Sequence, residues 1–147
     1  MIVVTTAVPR AGWAQVEGSQ TPVGQVSSDS LRVLLLAAER CDASAQFDLG
    51  IMYVTGEGVP ENDVEAVRWY RAAAEQGLAD AQHNLGRMYF HGEGVPQDYV
   101  FAYTWLNLAA AQGAEGAREV KEKLSLLMTN EQVAQAQKLS IELLRKN

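Results

Sequence analysis

The chain has 147 residues, enough for one domain with a substantial buried core, and its 48% hydrophobic content is rich in alanine, which favours packed helices over sheets. With 12 basic against 18 acidic residues the net charge is −6, which speaks against a nucleic-acid surface and against insertion into or adhesion to an anionic membrane. Cys41 is the single cysteine, so an intramolecular disulfide and a multi-cysteine zinc site are excluded, and no apolar run approaches the ~20 residues of a membrane-spanning helix.

Residues 1–28 hold scattered Gly, Pro, Ser, Thr and Gln without a helical or strand period, and are expected to form a disordered or loosely packed N-terminal tail. Ala11, Gly12 and Ala14 around Trp13 faintly suggest a cleavage site, but the basic n-region and long apolar h-region of an export signal are missing. The compartment stays open, with the cytoplasm favoured over the periplasm or secretion. Trp13 is free to pack back onto the body. The repeat domain is expected over residues 29–147. Ser27, Ser28, Asp29 and Ser30 are capping residues ahead of a short helix, Leu31 to Arg40.

The pentapeptide Gly56-Glu57-Gly58-Val59-Pro60 returns as Gly92-Glu93-Gly94-Val95-Pro96, an offset of 92 − 56 = 36 residues. At the same offset Ala45, Gln46, Leu49, Gly50, Met52 and Tyr53 become Ala81, Gln82, Leu85, Gly86, Met88 and Tyr89. Downstream, Ala66, Trp69, Ala73, Ala74, Gln76 and Gly77 become Ala102, Trp105, Ala109, Ala110, Gln112 and Gly113. Such a period marks a repeat architecture. The repeats run over about 43–78 and 79–114, and residues 30–42 form a preceding half repeat, since Ala37, Ala38 and Glu39 fall on Ala73, Ala74 and Glu75. Cys41 then takes the place of Gly77 and Gly113, and is expected to be a buried structural thiol.

Each repeat reads as two helices. Ala45, Leu49, Met52 and Tyr53 share one face of the first. Gly50 and Gly86 beside that face mark a close helix approach. Gly56 and Gly58 end the helix and turn the chain. Asn62 and Asp98 cap the second helix, whose apolar residues are Val64, Val67, Trp69, Tyr70, Ala73 and Ala74 in the first copy. Beyond residue 114 the pattern changes into a C-terminal cap, 115–147. Its first stripe is Ala117, Val120, Leu124, Leu127 and Met128, and Thr129 with Gln132 forms a capping box. The last helix carries Val133, Ala136, Leu139, Leu143 and Leu144 inward, with Gln135, Lys138, Glu142 and Arg145 outward.

The run Ala-x3-Leu-Gly-x2-Tyr-x2-Gly-x-Gly-Val-Pro, followed by Ala-x2-Trp-x3-Ala-Ala-x-Gln-Gly, resembles the Sel1-like repeat, a relative of the tetratricopeptide repeat. The resemblance implies an all-α fold, a right-handed α/α-hairpin solenoid with terminal capping helices, and a role as an adaptor that holds other proteins. It also implies that first-helix residues off the core stripe line a concave groove. Matched through Leu-Gly-Tyr, these are Ser44, Phe47, Ile51, Val54 and Thr55 in one copy and Asp80, His83, Arg87, Phe90 and His91 in the other. The two copies differ at these positions, as follows if the core sets the fold and the groove sets the partner. Phe47, Ile51, His83, Arg87, Phe90 and His91 are the expected partner-binding residues: Arg87 beside His83 for a carboxylate, the apolar side chains for an apolar anchor.

No catalytic set and no cofactor site stands out. His83 and His91 are eight residues apart on one helix, about 12 Å along its axis and too far for one zinc ion. The Gly-Glu-Gly turns follow a helix and lack the Lys and Ser/Thr of a phosphate loop. Glu57 and Glu93, one repeat apart, stand roughly 10 Å or more from each other. The expectation is therefore a non-enzymatic protein that binds a peptide or helix of another protein. A homodimer paired through the cap helices is a second binding reading. A hydrolase of cell-wall or β-lactam type, by loose family analogy, is the rival class.

Overall fold

The computed structural model describes residues 27–147. The expectations placed on residues 1–26, a loose tail lacking an export signal and a Trp13 able to pack back, lie outside the described residues. Seven helices and no strands occur among the described residues: α1 (Ser28–Glu39), α2 (Ala43–Thr55), α3 (Asp63–Glu75), α4 (Ala79–His91), α5 (Tyr99–Ala111), α6 (Ala117–Ser125) and α7 (Asn130–Lys146). Their boundaries follow from local chemistry. Asn62 accepts hydrogen bonds from the backbone N–H groups of Val64 and Glu65, and Asp98 from that of Phe101, which satisfies orphan donors of the first turn. At the other end of the first helices, Gly56 and Gly92 adopt φ of +72° and +74°, a left-handed conformation that ends the helix at little cost in glycine. The expected capping box is present: Thr129 donates its N–H to the Gln132 side chain, and Gln132 donates its own to the Thr129 hydroxyl.

The helices pack as a solenoid. α1 lies on α2, α2 pairs with α3, and α4 packs against both α3 and α5. Glycine sets the closest of these approaches. A Cβ on Gly50 would enter the Tyr70 ring, and one on Gly86 would come within 2.7 Å of Leu106 Cγ. Three contiguous apolar clusters fill the interior, one around Leu49, Met52 and Trp69, one around Leu85, Met88 and Trp105, and one around Leu106, Leu124 and Ala136.

A glutamine in each first helix ties the repeats together. Gln46 Nε2 donates to the Ala38 carbonyl at 3.0 Å and Gln82 Nε2 to the Ala74 carbonyl at 3.1 Å, each reaching back to the preceding second helix. Gln76 Nε2 then donates to Gln46 Oε1 and Gln112 Nε2 to Gln82 Oε1. Gln46 and Gln82 are buried in this ladder.

Several expectations need correction. Cys41 is exposed, not buried. It does take the glycine register, with φ of +66° against +94° and +81° at Gly77 and Gly113, but a residue just past a helix end projects into solvent. Val64 is exposed because it sits in the first turn of α3, ahead of the buried stretch that begins at Ala66. At the C-terminal end, α6 and α7 both lean on α5. The face of α7 turned inward is Ala136, Ser140 and Leu143, while Leu144 is exposed, as is Leu127 before it. Ser140 is 2% exposed and donates to the carbonyls of Ala136 and Thr104. Small residues let these two helices approach closely, which a leucine-only stripe would not reveal.

Trp69 and Trp105 are 8% and 5% exposed, in different clusters. Trp69→Ala and Trp105→Ala should each lower unfolding stability by about 3–5 kcal/mol. Urea unfolding checks this, and a loss of only about 0.5 kcal/mol at both would mean that neither ring supports the core.

Candidate functional site

The candidate groove is built on α2 and α4, and the structure joins part of it into one cluster. Phe47 is half-buried and packs its ring at 5.7 Å from that of Tyr70 on α3. The Tyr70 hydroxyl is hydrogen-bonded to the Asn84 side chain on α4 and feels the charge of Arg87 one turn on. His83 lies beside Arg87 and Asp80 on the same helix. Phe47, Tyr70, Asn84, Arg87 and His83 thus form a continuous patch that runs from one repeat to the next. Ile51, one turn along α2 from Phe47, is about one-third exposed.

Phe90 and His91 are placed differently. Their rings meet edge-to-face at 4.8 Å, and Phe90 also faces Tyr99 at 5.8 Å. Phe90 is half-buried against the cluster of α5, α6 and α7, whereas His91 is exposed. They extend the α4 face toward its C-terminal end rather than joining the Arg87 patch.

Electrostatics give the patch its character. Arg87 is exposed and makes no ion pair among the described residues, where two pairs occur, Arg68–Glu65 and Lys123–Glu119. Burial pushes the His83 pKa below its ordinary 6.5, and the Arg87 guanidinium pushes it the same way, against Asp80. His83 Nε2 is buried without a hydrogen-bond partner, and its ring edge lies near Gly116, just before α6. Burial raises the Tyr70 pKa, with Asn84 and Arg87 pulling against it. The patch therefore offers a neutral imidazole, a phenol, an amide and one guanidinium beside an aromatic ring. That set can hold a carboxylate next to an apolar group.

Tyr70 and Asn84 belong to the patch, yet sequence reasoning put Tyr70 in the core and gave Asn84 no role. A signal for Tyr70 existed. At the 36-residue offset it corresponds to Leu106 (106 − 70 = 36), so a polar tip replaces a fully apolar residue at an otherwise matched core position. Among the described residues, no helix is long and apolar enough to cross a membrane, and no three His, Cys, Asp or Glu side chains cluster as metal ligands.

The Sel1 repeat family model matches residues 43–78 and 79–113. Among solved structures, a protective antigen present in uropathogenic Escherichia coli strains and displaying an SLR fold is similar at 35% identity and a TM-score of 0.75, over 80% of this chain and 25% of that one. A Sel1 repeat protein from Oxalobacter formigenes is similar at 40% identity and a TM-score of 0.61, over 63% of this chain and 38% of that one. The chain thus spans well under half the length of either. No curated protein matches the chain.

The depressed His83 pKa has a consequence for stability. The unfolded chain takes up this proton more readily than the folded one, so the contribution of neutral His83 is complete above about pH 6.5 and is lost as the pH falls through the folded value. Acidifying from about pH 7.5 to about pH 5.5 should therefore lower the urea midpoint, and His83→Gln should make the midpoint less sensitive to that change. An equal acid sensitivity in both proteins would show that His83 is not a source of it.

Proposed function

Because the chain is a Sel1-like repeat protein, and Sel1 repeats in general serve as protein–protein interaction modules, we propose that it is an adaptor whose α2–α4 face binds an extended or helical segment of a partner protein. The Arg87 patch carries this reading. In a chain of net charge −6, Arg87 stands exposed and without an ion-pair partner, flanked by His83 and the Phe47–Tyr70 ring pair. A guanidinium beside an aromatic surface is the composition of an interface anchor. An acidic or C-terminal carboxylate would meet Arg87, and a neighbouring apolar side chain would rest on Phe47 and Ile51. Phe90 and His91 would extend the contact along α4. Solenoids of this type are typically non-catalytic scaffolds, and no observation favours the hydrolase alternative.

The copies also support the reading by where they differ. Phe47 faces His83 across the repeat offset, and Ile51 faces Arg87 in the same way. Neighbouring buried positions such as Leu49 and Leu85 stay identical and fully buried. Change is tolerated where the side chain serves the surface.

A second reading, self-pairing through the cap, draws on the exposed Leu126, Leu127, Ile141 and Leu144 at that end. Leu126→Glu with Leu144→Glu should convert any concentration-dependent dimer seen by sedimentation into monomer, and a dimer unchanged by them would rule this face out.

The adaptor reading is tested by affinity capture from the native lysate with wild type, Arg87→Glu and Phe47→Ala, each first checked for helix content. Arg87→Glu reverses the one patch charge without touching the core and should weaken capture of a specific partner by about tenfold or more, the scale for a hot-spot anchor. A specific partner captured equally by all three proteins would move the site away from this face.

A further inference from the structure

A hollow of about 500 Å³ lies among the second helices, lined by residues of α3, α5 and α7, and it plays no part in the Arg87 patch. Trp105 and Leu108 line it from α5, Leu143 and Leu144 from α7, and Gln76 and Gly77 from the end of α3. Its size falls in the range of small-molecule sites and its lining is predominantly apolar. It is more enclosed than the broader hollow beside α1.

We propose that this cavity binds a small, uncharged, apolar molecule that carries a single hydrogen-bond donor, of the arylamine type. The preference for a donor follows from the glutamine ladder. Gln112 Nε2 spends its hydrogens on the Gly77 carbonyl at 3.0 Å and on Gln82 Oε1 at 2.9 Å. Gln82 Nε2 is spent on the Ala74 carbonyl, and Gln76 Nε2 donates to Gln46 Oε1. The ladder therefore turns acceptors toward its surroundings, with the Oε1 atoms of Gln76 and Gln112 still uncommitted. The last turns of α3 and α5, Glu75 to Gly77 and Ala111 to Gln112, add helix C-termini, whose carbonyls also accept and carry partial negative charge. An anion would meet these dipoles unfavourably. Glu75 and Lys146 stand on the lining with one charge of each sign, so no net charge on the ligand is rewarded. What the cavity rewards is burial of an apolar ring against Trp105, Leu108 and Leu143, oriented by one N–H directed at an amide or carbonyl oxygen.

The probe is N-phenyl-1-naphthylamine, a neutral arylamine whose fluorescence rises in apolar surroundings, titrated into the full chain. The expected result is a saturable rise that corresponds to one molecule per chain. Ala111→Phe, at an exposed position that lines the cavity, should fill it and weaken binding by about tenfold or more, as expected when one well-packed apolar contact is displaced. Leu144→Ser removes an exposed part of the wall and should weaken binding in the same direction. Arg87→Glu, far from the lining, should leave binding unchanged. No rise in fluorescence would overturn the proposal, as would a rise that survives both Ala111→Phe and Leu144→Ser. A rise that disappears as the chain self-associates would overturn it too, by showing that a second copy fills the cavity.

Discussion

The buried glutamine amide that joins each first helix to the second helix before it is the interaction on which the rest of this structure depends. Leucines and alanines can fill the space between helices in more than one register, because apolar contact has little direction. A buried amide has direction. Once Gln46 or Gln82 is out of water, its donors and acceptor must all find partners, and an unmade bond costs about 1–3 kcal/mol. Only one offset between hairpins brings Gln82 Nε2 to the Ala74 carbonyl and Gln82 Oε1 to Gln112 Nε2 together. The same offset seats the next glycine turn on the preceding repeat, where Gly94 lies against the backbone of Asp63 so closely that a Cβ would overlap it. Packing supplies the stability and the ladder supplies the register.

That register determines what the surface can do. It carries Tyr70, a second-helix residue of one repeat, to Asn84 and Arg87 on the first helix of the next. It also leaves Phe47 resting on the other side of the Tyr70 ring. Tyr70 has two duties here: its ring fills the space opened by Gly50, and its hydroxyl reaches the polar patch. In the following repeat Leu106 fills the corresponding space opened by Gly86 with no polar tip. The binding face therefore changes character from one repeat to the next although the packing rule is the same. His83 belongs to this account as well, since its burial between Arg87 and the chain before α6 keeps the imidazole neutral and leaves Arg87 as the charge the patch presents.

The C-terminal end shows how far a repeat can depart and still close the stack. α6 is short, and α7 is held chiefly by α5 through Ala136, Ser140 and Leu143. The Ser140 and Thr104 hydroxyls, both buried, bond across this crossing to the carbonyls of Thr104 and Ala136. Serine and threonine at a tight crossing satisfy themselves on helix carbonyls, so their burial carries little penalty. The cavity beside Trp105 belongs to the same arrangement: α7 covers one flank of it, while the end of α3 bounds the other.

By itself, the sequence determined the helices, their order and the repeat, because these rest on local chemistry: the 36-residue period, caps at Asn62, Asp98 and Thr129, and glycines that must take positive φ. It also marked Gly50 and Gly86 as close approaches, since a glycine inside a helix has few other reasons to recur. Tertiary structure decided what local pattern cannot encode. Cys41 shares a glycine's register but faces solvent; Ser140 lies buried where leucines were expected; Leu144 points outward; Tyr70 reaches a neighbouring repeat. Of the candidate face, Phe47, His83 and Arg87 could be named from the sequence, but their link through Tyr70 and Asn84 could not. Each of these outcomes depends on which atoms of a distant helix stand opposite a residue, and a helical period specifies only the direction in which a side chain leaves its own helix.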